Sequence, residues 1–392
     1  MLRPKLKHLR HPIRAAGAVR SLLVMHQGMK QLAAHGEQRF KEDPRFDLRY
    51  VREGFVPHYD DAADDTTILE RICRAYIKAT DQQRLAKAAY GATSWWQEMG
   101  RGRNPAERAL AAGDVRSLGT MYRNFFRDPC SAGLIGVPLH SLKLLPVKAI
   151  DDLYRRCFLT DALHRIDYWK LQTGGQFAVH NLEGPGVGNP FGVVIEDTLV
   201  AVGTEYQHYC AQKISSLLPT GRASIVEIGG GYGSMAYYLL RDRPQTTYID
   251  FDVPESLALA TYYLLKSLPG RSFLLYGEEE LTPDSISRFD TVLMPAFELG
   301  KMPVYSADLS FSSHAMSCLS HDAMDEYMNH IARTTCGHLL HIGDISASGS
   351  LHELITMRHS SFVLQEKRLT DWNTQKFRGE HEVEYLYKAQ GV

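Results

Sequence analysis

The strongest chemical signal in the chain is Ile225-Val226-Glu227-Ile228-Gly229-Gly230-Gly231-Tyr232-Gly233. A β-branched apolar run reads as a buried strand, and Ser234 then opens a helical run through Leu240. A glycine turn between strand and helix lets the backbone approach a ligand closely. Its N–H groups and the helix N-terminus favour a negative group there. A second acidic position follows in Thr246 to Asp252, an apolar run with Asp250 and Asp252 near its tip, before Pro254 opens another helix. An acid at that place can accept hydrogen bonds from two ribose hydroxyls. Alone, each aspartate reads as a solvated strand end or helix cap. Beside the glycine turn, a nucleotide-like cofactor is the better reading.

Spacing separates the cofactors. The dinucleotide fingerprint places its third glycine at position 234, which is serine here, and this disfavours a nicotinamide oxidoreductase. The pattern Glu-x-Gly-x-Gly-x-Gly from Glu227 to Gly233 resembles the first motif of class I S-adenosylmethionine methyltransferases. That resemblance implies that Gly229, Gly230 and Gly231 back the methionine part of S-adenosylmethionine, and that Glu227 helps hold its amino group. Phe251-Asp252-Val253-Pro254-Glu255 resembles the Asp-Leu-Pro of many O-methyltransferases, which assigns the ribose to Asp252. Glu278, after the strand expected at Arg271 to Tyr276, is placed to reach the adenine, with a solvated acidic turn as the alternative. The resemblance puts the end of the fourth main strand, Asp308 to Ser313, beside the reacting methyl group. His314 is then the candidate base, since an imidazole titrating near ~6.5 suits proton removal. A structural hydrogen-bonding role is the alternative there. His180 and His208 stand in reserve.

Further landmarks occur in order: Tyr122 to Arg127, Gly188-Asn189-Pro190, Asp308 to Leu319 and Glu384 to Tyr387. With the cofactor motifs they resemble the bacterial putative sugar O-methyltransferase family over roughly residues 80 to 390. The implied activity is methylation of a sugar, glycan or glycoside hydroxyl in polysaccharide or glycosylated natural-product biosynthesis. Two positions depart from the family's Asn-x-x-Ser-Phe-x-Glu-Met: Ser312 replaces the asparagine and Cys318 the glutamate. Ser312 is kept among the cofactor contacts. The departures leave room for a phenol or amine acceptor, or for a non-catalytic partner protein with this fold.

Composition sets the bounds. At 392 residues, with 44% hydrophobic and 23% charged, the chain suits a globular protein of more than one domain. A formal net charge of −1 offers no field for nucleic acid. No apolar run reaches transmembrane length, and no signal-peptide pattern precedes the fold. The six scattered cysteines fit reduced thiols in the cytoplasm. No metal is expected, because His338 and His341, three apart on a strand, face opposite sides. A homodimer is compatible with the sequence.

The elements needed to position these residues read as an α/β fold. A Rossmann-like class I methyltransferase sheet, mostly parallel with an antiparallel last strand, follows a helical N-terminal domain. The boundaries are a basic helical extension over 1–60, a helical substrate or cap domain over 61–190, and the cofactor domain over 191–392. The extension reads as a solvated terminal helix, with a membrane, partner or polyanion contact as the alternative. Thr291 to Met294 reads as an extra strand, and 181–189 as a linker or a loop over the site. Trp95-Trp96 and the aromatics of 122–127 read as core packing, with sugar stacking as the alternative.

Overall fold

The computed structural model describes residues 12–57, 65–135, 148–372 and 381–390. Its N-terminal half is helical: α1 (Pro12–Arg39), α2 (Leu48–Gly54), α3 (Thr66–Gln83), α4 (Ser94–Met99), α5 (Asn104–Ala112), α6 (Val115–Tyr122) and α7 (Lys148–Gln172). Buried Leu69, Ile72, Cys73 and Ala79 lie on one stripe of α3, the spacing that turns a helix face inward. A hairpin of β1 (Gly192–Ile195) and β2 (Thr198–Ala201) leads into α8 (Thr204–Leu217).

Strands and helices then alternate: β3 (Ala223–Ile228), α9 (Ser234–Asp242), β4 (Thr246–Asp252), α10 (Pro254–Ser267), β5 (Phe273–Leu275), α11 (Pro283–Arg288), β6 (Thr291–Pro295), β7 (Ala307–Ser313), α12 (His321–Thr334), β8 (Thr335–Asp344), α13 (Ile345–Arg358), β9 (Phe362–Thr370) and β10 (Glu382–Ala389). They form one eight-stranded sheet in the order β5-β6-β4-β3-β7-β8-β10-β9. The pairings among β3 to β8 are parallel, while β10 runs antiparallel to both β8 and β9. This is the Rossmann-like sheet expected, with its antiparallel last strand. The order reverses between β4 and β7 around β3, and the carboxyl ends of strands at such a switch point open a crevice for a ligand.

Period-two alternation splits the core between the two faces. Ile225, Tyr248, Leu309 and Phe311 pack on the face that carries the N-terminal helices. Val226, Ile228, Ile249 and Phe251 pack on the other. The helical layer is pinned to the sheet's own helices where Asp65 accepts from Tyr262 Oη and pairs with Lys266 Nζ, both at 2.9 Å.

Three expectations change. Thr291–Pro295 is no extra piece: β6 lies inside the sheet between β4 and β5, so the strand expected third, β5, is pushed to the edge. The N-terminal segment is not solvated along its length, for α1 packs on α7. Met29 carbonyl there accepts from Cys157 Sγ at 2.9 Å, and Glu37 pairs with Arg156 at 2.7 Å. The basic positions Arg3 to Arg10 lie outside the described residues, as does most of the acidic stretch 60–65.

The loop over 181–189 is a joint, not a cover. Arg127 donates to the Asn189 and Pro190 carbonyls, Phe126 N–H to Gly188 carbonyl, and Tyr238 Oη to Leu182 carbonyl. Tyr122, Phe125 and Phe126 are buried core. Gly188 has φ +83°, and a Cβ there would lie 2.1 Å from the Phe125 ring. Gly188→Ala is therefore expected to cost upwards of ~2 kcal/mol, read as a fall in Tm, while Gly186→Ala, with nothing nearby, leaves it unchanged.

Candidate functional site

The β3–α9 turn is built on left-handed backbone. Gly229, Gly231 and Gly233 have φ of 80°, 64° and 86°. A Cβ on Gly229 would meet Ala315 Cβ at 2.2 Å, and one on Gly230 would meet Tyr248 Oη at 2.5 Å and Asp250 Oδ2 at 2.7 Å. The turn thus presses against two neighbouring strand ends. Gly231 faces open space, with only Leu134 Cδ2 within 4 Å.

Acids from three positions converge on this turn. Glu227, 3% exposed, accepts from Tyr248 Oη at 2.5 Å. Asp250 Oδ1 accepts from Gly230 N–H at 3.0 Å, while its buried Oδ2 has no hydrogen-bond partner among the described residues. Asp252 accepts from Gly231 N–H at 3.1 Å and Val253 N–H at 2.6 Å, one on each oxygen. A carboxylate has about four acceptor positions, so Asp252 keeps capacity for two hydroxyls. Burial pushes the Glu227 carboxyl up to about 8, with Asp252 adding to the rise and the Tyr248 bond opposing it. Burial likewise pushes Asp252 up to about 7, against its two backbone N–H bonds and Arg103. Asp250 is raised as well, by burial first and then by its two acidic neighbours. Buried Arg103, stacked 4.0 Å over Trp96, is the cation that acts on Asp252. Three crowded carboxyls and an unpartnered oxygen suit a ligand that brings positive charge and hydroxyls.

The turn opens into a cavity of about 870 Å³, within the range of small-molecule and cofactor sites. Gly229, Gly230, Gly231, Glu227 and Asp252 line one part of it, with Val253, Ala296 and Tyr327 continuing that wall. The cavity is also lined by α7, α8 and the start of β10, through Arg165, Glu205, Tyr206 and Glu382. His314 and Cys318 lie along it too.

His314 follows β7 in left-handed backbone, φ 63°, which is uncommon for a residue with a side chain. Its N–H is tied to Ile342 carbonyl at 2.8 Å, so the β8 edge holds the conformation. The ring is partly exposed, and its Nε2 lies 3.4 Å from Glu382 Oε1. A carboxylate there favours the tautomer with the proton on Nε2 and leaves Nδ1 as the acceptor. Next to it, Tyr206 Oη and Ser313 Oγ share a 2.7 Å hydrogen bond. An imidazole, a carboxylate beside it and a hydroxyl pair thus line the cavity that holds the glycine turn.

Two expected contacts do not reach it. Glu278 sits at the sheet edge with Arg71 Nε at 2.5 Å and Leu275 N–H at 2.9 Å; these bonds outweigh burial and hold its carboxyl below the usual range. The insertion of β6 carries that strand tip away from the cavity, and Ala296 after β6 lines the wall instead. Ser312 points into the sheet, donating to Ile228 carbonyl at 3.1 Å and accepting from Met316 N–H at 3.3 Å. It braces β3 and the turn after β7 from behind.

The reserves also lie elsewhere. His208 is fully buried under α9 and accepts from Trp169 Nε1 at 3.1 Å. His180 lines a separate surface recess with Arg241 and Asp242. His341 is buried against Ser348, while His338, lying on the other face of β8, is half-buried. Among the described residues no three His, Cys, Asp or Glu side chains converge to hold a metal ion. All six cysteines are free, and among the described residues no helix is long and apolar enough to cross a membrane.

No family model and no curated protein matches the sequence. Solved structures resemble it in fold. A magnesium protoporphyrin IX methyltransferase from Synechocystis PCC 6803, with bound SAM, is 9% identical over 47% of this chain and 80% of its own, with a TM-score of 0.35. A putative sarcosine dimethylglycine methyltransferase from Galdieria sulphuraria is 12% identical over 57% and 98%, with a TM-score of 0.36. A TehB-like SAM-dependent methyltransferase from Corynebacterium glutamicum is 13% identical over 58% and 99%, with a TM-score of 0.33. At such values, what this chain binds has to be argued from its own site.

Proposed function

We propose that this chain is an S-adenosylmethionine-dependent methyltransferase that methylates a sugar hydroxyl, free, nucleotide-linked or within a glycan. The observation that carries the reading is the shared cavity, lined by the glycine turn, Glu227 and Asp252 together with His314 and Glu382. The residues fit the cofactor. Glu227 and the turn would hold its methionine part, Asp252 its ribose, and the wall of Val253, Ala296 and Tyr327 its base. When bound, S-adenosylmethionine supplies an electrophilic methyl group on a sulfonium.

The chain's own work is alignment and proton removal. As the acceptor oxygen takes the methyl group, its proton passes to His314 Nδ1, and Glu382 stabilises the charged ring. The same order of landmarks that resembles sugar O-methyltransferases supports the sugar, with a cytoplasmic place in polysaccharide or glycosylated natural-product biosynthesis. Free thiols fit that compartment. The helical segment over 61–190 then acts as the substrate-shaping domain. A phenol or amine acceptor is the second reading, favoured by the aromatic surface of Tyr154, Phe158 and Trp372 on the cavity wall.

Transfer of labelled methyl groups to matched panels of glycosides, phenols and amines tests the acceptor. Label on a glycoside oxygen is expected; label confined to phenols or amines would overturn the sugar assignment.

A further inference from the structure

Glu205 occupies the first turn of α8, is 2% exposed, and lines the same cavity as His314. Its Oε2 is buried and has no hydrogen-bond partner among the described residues. A buried carboxyl oxygen left unpaired is costly, and such groups normally find a donor. Burial pushes this carboxyl up to about 7, against the opposing charge of Arg165. Arg165, on α7, is bound to Asp161 at 3.0 Å and feels Glu205 and Glu382 as well. Glu382 faces His314 and accepts from Thr370 Oγ1 at 3.3 Å. Among the described residues the lobe thus sets Glu205 near the Arg165 guanidinium, with Asp161 and Glu382 already engaged by Arg165 and by His314 and Thr370.

We infer that Glu205 anchors the methyl acceptor by accepting a hydrogen bond from one of its hydroxyl or ammonium groups, and that this lobe turns away acceptors carrying a carboxylate or phosphate. The inference rests on the methyltransferase reading and adds the acceptor's charge class to it. An anionic acceptor would bring its charge against the carboxyls of Glu205 and Glu382, while Arg165 is held by Asp161. A neutral polyol or an amino-bearing one would supply the missing donor. Specificity of this kind comes as much from the repelled ligand as from the accepted one. Glu205 acts here as a specificity residue, distinct from the proton acceptor His314.

The test uses the full chain saturated with S-adenosylmethionine, whose binding is first established by calorimetry. Tryptophan fluorescence, reported by Trp95, Trp96 and Trp372 on the cavity wall, is titrated with four matched methyl glycosides: a hexoside, a 2-amino-2-deoxyhexoside, a uronide and a hexoside 6-phosphate. The first two are expected to bind at least tenfold more tightly than the last two. Glu205→Gln, near-isosteric and checked for an unchanged Tm, is expected to lose the amino-glycoside preference. Glu205→Lys is expected to gain the uronide. Equal affinity for an anionic glycoside, an unchanged profile in both variants, or no glycoside binding by the cofactor-loaded protein would each overturn the inference. The last leaves the cofactor site intact, so the two readings fail separately; absence of cofactor binding would sink the methyltransferase reading itself.

Discussion

Glu227→Gln is expected to weaken S-adenosylmethionine binding by one to two orders of magnitude at pH 8.5 while making the cofactor-free protein more stable at that pH. Both effects follow from one cause. Glu227 is buried beside two other acids, and burial pushes its carboxyl up to about 8. A carboxyl raised above its unfolded value, ~4.3, adds stability that is fully present below that value. The contribution is lost as pH rises through the folded value, because the native state must then hold a buried charge. The cofactor-free wild type should therefore lose stability between about pH 4.5 and pH 8, and glutamine removes that loss. A cationic ligand reverses the balance, since it needs the ionised carboxyl. Affinity for S-adenosylmethionine should rise from pH 6 to pH 8.5, by up to ~tenfold per pH unit where one proton is released. Thermal melts with and without cofactor, at pH 6 and pH 8.5, read both signs. A destabilised Glu227→Gln protein with unchanged affinity would contradict the account.

His314→Ala is expected to lower turnover by ~10²- to 10⁴-fold, the range for loss of a general base, with cofactor affinity unchanged. His314 lines the cavity, and among the described residues its ring lies against Glu382 while Glu227, Asp250 and Asp252 are held by Tyr248 and the backbone of the turn and Val253, so its removal should act on chemistry. Glu382→Gln should cost less, since glutamine can still accept from Nε2 but no longer offsets the ring's charge. An equal fall in cofactor binding would make His314 a structural residue. Its left-handed backbone and its bond to Ile342 carbonyl would then be its whole role.

What the sequence made legible was local. Strand, glycine turn and helix N-terminus lie within one short segment, and the acid-tipped strand follows directly, so type and spacing were enough to find Glu227, Gly229 to Gly231 and Asp252. The other wall was not legible. Arg165, Glu205, Tyr206 and Glu382 come from α7, α8 and β10, and the sheet order brings them together. A buried charge at Glu205, in the first turn after a hairpin, has no periodic signature.

The misplacement of Glu278 has a topological cause. A strand's neighbour in the sheet is set by its crossover connection, and nothing local in Thr291–Pro295 marks it as the strand that displaces β5. For α1 a signal did exist. Met29, Leu32, Ala33, Gly36 and Phe40 recur at helical spacing, and Ala33, Gly36 and Phe40 are buried. The density of basic residues obscured that stripe.

Whether this cavity takes S-adenosylmethionine is read out by calorimetric titration of the wild type and of Asp252→Ala at pH 8. Micromolar, single-site binding by the wild type, with proton release, and a collapse of affinity in the variant are expected. A well-folded wild type that takes up no S-adenosylmethionine, or an Asp252→Ala protein that binds it equally well, would rule out the cofactor site.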